Sequence, residues 1–214
     1  MLFLFLALAL PASAASDFYA KVADVSGPVT IKALGHQTYS PAHKGAALIS
    51  GDWVKTGPGG VAHLELDGGA MLLLTSGSTI VLGGEPEDPL VEFKLGEWLL
   101  GLTKKLTAGR RLRIQTPQAV AAVRGTLFWG KTDPKETLLA GLENEVEVTA
   151  LGKTVLLKPG ELVTVPSGAA PKEPVPHKVP APFLDRFRVD GGLAGIDALL
   201  APPAPKRKKD KKKQ

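Results

Sequence analysis

Side chains able to do chemistry are sparse in this chain, and their spacing argues against a catalytic centre. His36, His43, His63 and His177 show no zinc-protease spacing, and the absence of Cys removes thiolate ligands and thiol nucleophiles. His63 alternates onto the polar side of its segment, which predicts a solvated ring. Glu85, Glu87 and Asp88 crowd into the loop GGEPEDP. Such a loop could hold a cation weakly, but the Asp ladder and closing Glu of an EF-hand are missing, so a solvated acidic loop is expected. Gly57-Pro58-Gly59-Gly60-Val61-Ala62 satisfies a loose G-x-G-x-x-A pattern, yet strand-like alternation follows where a phosphate-binding helix would begin. No G-x-S-x-G elbow is present. Trp53, Trp98 and Trp129 would form a sugar-stacking surface if exposed, but they stand inside apolar segments, which favours core packing. Neither a cofactor nor a bound metal is expected.

The segments that carry these residues alternate with period two. Leu64 and Leu66 fall on one side with His63, Glu65 and Asp67 opposite; Leu112 with Ile114, and Val146 with Val148 against Glu145 and Glu147, repeat the pattern, while Val29, Ile31 and Ala33 share a side. Gly and Pro interrupt too often for helices of ten or more residues, and without crossover helices the parallel α/β classes are excluded. Asp67-Gly68 and Ser76-Gly77 supply tight turns. The fold class is therefore all-β, a solenoid-like or meandering stack of short strands.

The ends of the chain differ from its middle. Residues 1–10 are almost wholly apolar and lead to the small-residue site Ala12-Ser13-Ala14, which reads as an export signal (1–14) cleaved after Ala14. A run of about ten apolar residues is half the roughly 20 needed to span a bilayer, so no membrane span is expected after cleavage. An exported domain without disulfides must be held by its apolar core, and the all-β domain is placed at 15–166. Six Pro between 166 and 182 make 167–182 an extended linker. Phe183, Leu184, Phe187, Leu193, Ile196, Leu199 and Leu200 have helical spacing around Gly191-Gly192, giving one or two short helices over 183–201 that dock back on the domain or on a partner.

Net charge is +5 and the pI is 9.4, but the last nine residues alone contribute +6. The basic character thus belongs to a disordered tail (202–214) and leaves the domain near neutral. Lys206, Arg207, Lys208, Lys209, Lys211, Lys212 and Lys213 are either a solvated extension or a tether to anionic polymer or lipid, each worth about 1 kcal/mol near an anionic surface and weakened by salt. With export, nucleic acid is not an expected partner.

Gly51-Asp52-x-Val54-x-Thr56-Gly57, Ala62-x-Leu64-x-Leu66-Asp67-Gly68 and Ser78-x-Ile80-x-Leu82 resemble the first half of the FecR domain family. Thr116-Pro117, Val120, Val123-Arg124-Gly125-Thr126-x-Phe128, Val146-x-Val148 and Pro159-Gly160-Glu161 resemble the second half. Together they cover roughly residues 22–166. The resemblance implies an all-β extracytoplasmic module, used in iron-uptake regulators to relay the state of an outer-membrane receptor to an inner-membrane anti-sigma system. Those regulators carry a cytoplasmic segment and a membrane span before the domain and a receptor-binding domain after it, whereas this chain opens on an export signal and closes on a short polar end.

The motif residues read as structural. Gly51 and Gly125 supply backbone conformations or close approaches that a Cβ would forbid, and Asp52 caps a turn. Arg124 could clamp a carboxylate, but its small and β-branched neighbours favour a paired scaffold charge. The expected function is a non-catalytic, exported FecR-type module that binds or senses a protein or glycan in the periplasm or cell envelope. Two other readings are a signal-transducing regulator whose cytoplasmic part lies upstream of a misplaced start, and a β-solenoid enzyme acting on polysaccharide.

Overall fold

A computed structural model describes residues 20–67, 69–85, 88–102, 112–123 and 127–178. Arg124, Gly125, Thr126, Gly68, Glu87, the cleavage site at Ala14, the 183–201 segment and the basic tail lie outside them. The described chain is all strand: β1 (Ala20–Ser26), β2 (Val29–Lys32), β3 (Ser40–Pro41), β4 (Ala47–Leu48), β5 (Trp53–Thr56), β6 (Val61–Leu66), β7 (Ala70–Leu74), β8 (Thr79–Glu85), β9 (Asp88–Leu102), β10 (Leu112–Gln115), β11 (Val120–Val123), β12 (Leu127–Thr132), β13 (Glu136–Gly141), β14 (Val146–Ala150), β15 (Lys153–Leu157), β16 (Glu161–Pro166) and β17 (Val175–Pro176). No helix among the described residues is long and apolar enough to cross a membrane.

These strands form two facing sheets joined by β9. Sheet A runs β4-β1-β6-β7-β9-β12-β13-β16-β17, and sheet B runs β3-β2-β5-β8-β9-β10-β11-β14-β15. Strands are laid down alternately in one sheet and the other, so the order within each sheet nearly follows the chain. All pairings are antiparallel except β9 with β10. That exception follows from topology, because the chain leaves β9 in sheet A and re-enters sheet B beside the first half of β9.

The inner faces meet in one apolar core. Leu64, Leu72, Leu100, Phe128 and Val163 come from sheet A, and Val54, Ile80, Phe93, Ile114 and Val148 from sheet B, all fully buried. Burying each such side chain contributes about 1.5–3 kcal/mol, so a core of this size replaces the disulfides the chain lacks. Trp98, the largest buried side chain, stacks on Phe93 with ring centroids 3.7 Å apart. Its indole occupies the space where a Cβ on Gly130 would stand, so only glycine fits opposite it on β12.

The passage of β9 between sheets turns on Gly96. Leu95 still faces Thr79 of sheet B, whereas Gly96 already faces Thr132 of sheet A. Gly96 has φ +112°, and a side chain there would run into Ser78. Ser78 secures the corner, its hydroxyl donating to the Glu97 carbonyl at 3.1 Å and accepting from the Glu97 N–H at 3.2 Å. Beyond β16 the chain turns at residues 167–169, and Val175 and Pro176 pair with Leu162 and Glu161 as an edge strand, the place where a residue without an N–H is tolerated.

Candidate interaction surfaces

The turn-forming motif residues occupy connections between strands. Asp52 is buried, and its two carboxylate oxygens accept the Leu34 N–H at 2.8 Å and the Ile49 N–H at 3.0 Å, pinning the β2–β3 and β4–β5 connections together. Gly51 beside it has φ +96° and donates its N–H to the Leu82 carbonyl. Thr56 donates its hydroxyl to the Thr75 carbonyl at 2.6 Å and accepts the Ser78 N–H at 2.8 Å, linking the end of β5 to the β7–β8 crossing. Gly57 donates to the Pro28 carbonyl, and Asp67 opens the β6–β7 turn. Gly160 donates to the Gly141 carbonyl, and Glu161 accepts the Lys158 N–H at 2.9 Å. The side chains of Asp52, Thr56 and Glu161 thus serve their own backbone.

Thr116 and Pro117 form the β10–β11 hairpin, where the Thr116 hydroxyl accepts the Ala119 N–H at 2.9 Å. The same hydroxyl belongs to a polar cluster that sequence reasoning missed. Thr132 and Thr137 each donate to Gln118 Oε1, at 3.0 and 2.7 Å, and Thr137 Oγ1 lies 2.9 Å from Thr116 Oγ1. These residues come from the two ends of different hairpins, and only the packing of the sheets brings them together. The hydroxyls of the cluster are bonded to one another and to Gln118.

Of the acidic loop, Asp88 is committed to Arg113. The guanidinium binds it through two nitrogens, Nε at 3.0 Å and Nη2 at 2.7 Å, and this pairing competes with use of Asp88 for a cation. Asp133 caps the β12–β13 turn by accepting the Lys135 and Glu136 N–H groups at 2.7 and 3.0 Å, which holds its carboxyl below the usual range.

Two surfaces remain, the outward faces of the sheets. On sheet B, Lys32 and Trp53 are direct cross-strand partners, with the ammonium 4.7 Å from the indole centroid. Lys94 reaches the same indole at 5.9 Å, and Lys32 also lies 5.7 Å from Tyr39, which is 41% exposed. The distances fall within cation–π range. Period two does place Trp53 and Lys55 opposite buried Val54, a signal that outranks the apolar neighbours that suggested core packing for all three Trp. Only Trp98 is in the core; Trp53 and Trp129 are half-buried and face outward.

On sheet A the centre of the outward face is apolar. His63, expected to be solvated, is 3% exposed. It belongs to a cross-strand row running Asp24, His63, Leu73, Leu99, Trp129, Ala140, Leu162, Val175. Alternation assigned His63 correctly to the face opposite Leu64; the error was to equate that face with water. Leu73, Leu99 and Leu127 form a second apolar cluster with Val61, Trp129 and Leu142 packed against it.

The family model described as FecR protein matches residues 52–147, so the match takes in both halves of the sandwich from β5 into β14. Two crystal structures from Parabacteroides distasonis ATCC 8503, each described as a candidate anti-sigma factor, share the fold. One has 19% identity and a TM-score of 0.55, covering 63% of this chain and 64% of the other. The second has 20% identity and a TM-score of 0.52, covering 59% and 60%. The chain thus spans less than two thirds of either structure. No curated protein matches it.

Proposed function

We propose that this chain, which carries a FecR domain over residues 52–147, is a non-catalytic binding and sensing module, exported to the periplasm or cell envelope after removal of residues 1–14. The observation that carries this reading is the cluster of Trp53, Tyr39, Lys32 and Lys94 on the open face of sheet B. Aromatic rings held on a rigid sheet lose little entropy on binding, and the Lys32 ammonium beside them favours an anionic ligand, for which Lys94 would have to exchange its ion pair with Glu92. An acidic segment of an envelope protein or an acidic glycan has that chemistry. Among the described residues, buried Asp52, Thr56, Ser78, Thr116, Thr132 and Thr137 are hydrogen-bonded within turns and between strands. The outward face of sheet B is therefore where a partner would bind. The basic tail, Lys206 to Lys213, would add an electrostatic tether.

Affinity capture from native envelope tests it. The chain should enrich a defined anionic component, and the W53A/K32A/K94A variant should lose at least tenfold of it while its unfolding midpoint moves little, since exposed cation–π contacts are worth about 0.5–1 kcal/mol. Equal enrichment by both forms, or none by either, would overturn the reading.

A second reading, an envelope-signal regulator, is supported by the two anti-sigma-type structures that share the fold. An in-frame upstream coding segment ending in a membrane span would favour it, and a stop codon there would remove it.

A further inference from the structure

The sandwich has edges of two kinds. Sheet A ends on β4 and β17 and sheet B begins on β3, each two residues long, and β3 and β17 carry Pro41 and Pro176. Short strands and Pro keep further strands from adding to a sheet. The remaining edge, β15 at the far end of sheet B, has five residues, reads KTVLL and lacks Pro. Its charged residue, Lys153, is engaged with Glu173 at 2.7 Å.

The turn before β15 fixes which of its backbone groups are free. Leu151 and Gly152 join β14 to β15 with φ +47° and +76°, positive at both positions as a type I′ turn requires. A two-residue turn makes its flanking pair, Ala150 and Lys153, a hydrogen-bonded one, and such pairs then alternate along the ladder. Lys153, Val155 and Leu157 therefore bond to β14, whereas Thr154 and Leu156 turn their N–H and C=O groups to the open edge. Among the described residues nothing bonds to those groups, and the edge closes at Lys158, whose N–H and C=O both bond to Glu161.

We propose that β15 pairs with β15 of a second copy of this chain, antiparallel about a two-fold axis at Val155, so that sheet B runs on through a homodimer. The edge is complementary to itself in this register. Thr154 of each copy faces Leu156 of the other, and every free N–H and C=O meets a group of the opposite kind. Val155 faces Val155 and Lys153 faces Leu157, so no like charges are opposed within the strand. Buried Val155 and Leu157 stay on the inner side, and exposed Thr154 and Leu156 stay on the outer.

The turn is an independent sign. Leu151 is 73% exposed, more than any other large apolar residue described, and it is held in the left-handed region where type I′ turns favour Asn or Gly. Exposed and strained residues of this kind cluster at functional sites. In the proposed register Leu151 stands opposite Pro159 of the second copy, which gives it an apolar neighbour. The Trp53 cluster lies on β2 and β5, toward the other end of sheet B. The pairing leaves that face open and does not rest on the ligand-binding reading.

Sedimentation velocity of the full chain should show a concentration-dependent dimer. Thr154→Lys with Leu156→Lys sets like charges opposite each other at both facing pairs and should weaken the dimer at least about tenfold. Thr154→Glu with Leu156→Lys sets opposite charges there and should return it to within about threefold of the parent. Both side chains are exposed, so the β circular-dichroism signal should be kept throughout. Leu151→Asn suits the turn and should still weaken the dimer several-fold. A chain that stays monomeric, a dimer that T154K/L156K leaves intact, equal weakening by the two double variants, or an L151N dimer as tight as the parent's would overturn the proposal.

Discussion

The two outward faces of the sandwich share one core and one alternation pattern, yet they differ in what they present. Across sheet A the outward cross-strand row reads Asp24, His63, Leu73, Leu99, Trp129, Ala140, Leu162, Val175. Across sheet B the corresponding row reads Lys32, Trp53, Val81, Glu92, Gln115, Val120, Thr149, Thr154. The first is buried at its centre, and the second is half-exposed or open along its length. Period two decides which residues share a side, but the types of residue on that side decide whether water is the neighbour. Sheet B therefore presents rings and ammonium groups, whereas the outward face of sheet A carries an apolar cluster of Leu73, Leu99 and Leu127.

The strongest way to break this contrast is to truncate one residue on each face. Leu99→Ala should cost about 2–5 kcal/mol in urea unfolding, the cost of a core cavity. Leu156→Ala on sheet B, at 43% exposure, should stay within about 0.5 kcal/mol. Similar losses from both would mean that the outer face of sheet A is no second core.

A smaller effect sharpens the description of sheet B. In a double-mutant cycle, Arg113→Ala with Asp88→Ala should give a coupling of at most about 1 kcal/mol, because both side chains are exposed and one ion pair is open to screening. The coupling should shrink between low and high salt; one that persists at high salt would show that this face is drier than its exposure implies.

The smallest effect belongs to the β12–β13 turn at the end of sheet A. The backbone N–H groups of Lys135 and Glu136 lower the Asp133 pKa in the folded state. Its contribution to stability is therefore present above the unfolded carboxyl value, about 3.9, and is lost as pH falls through the lower folded value. Asp133→Asn should remove that part of the acid sensitivity, leaving a slightly flatter stability profile below about pH 4. An unchanged profile would mean that the cap contributes nothing.

The ease of reading these features from sequence varied with the range of the interaction. The all-β class was legible because alternating segments such as 62–66 and 146–148, closed by Gly and Asp, carry the pattern locally. Asp52 could be placed at a turn by its neighbour Gly51, but its two N–H donors, from Leu34 and Ile49, are set by the meeting of two connections. The Thr116, Gln118, Thr132 and Thr137 cluster had no local signal, since ordinary strand and turn residues become a network only when two hairpins pack. Gly130 looked like any strand glycine until Trp98 was found against it.

By itself the sequence determined an all-β chain with two-sided strands, and a family pattern in the order and spacing of its turn residues. These are properties of short segments, where backbone sterics and apolar spacing act within a few residues. Tertiary structure decided that the strands divide into two sheets sharing β9, that Trp53 faces outward while Trp98 fills the core, and that His63 is buried on the back of sheet A. Those outcomes depend on which surfaces come to lie against one another, and burial is a property of both partners in a contact.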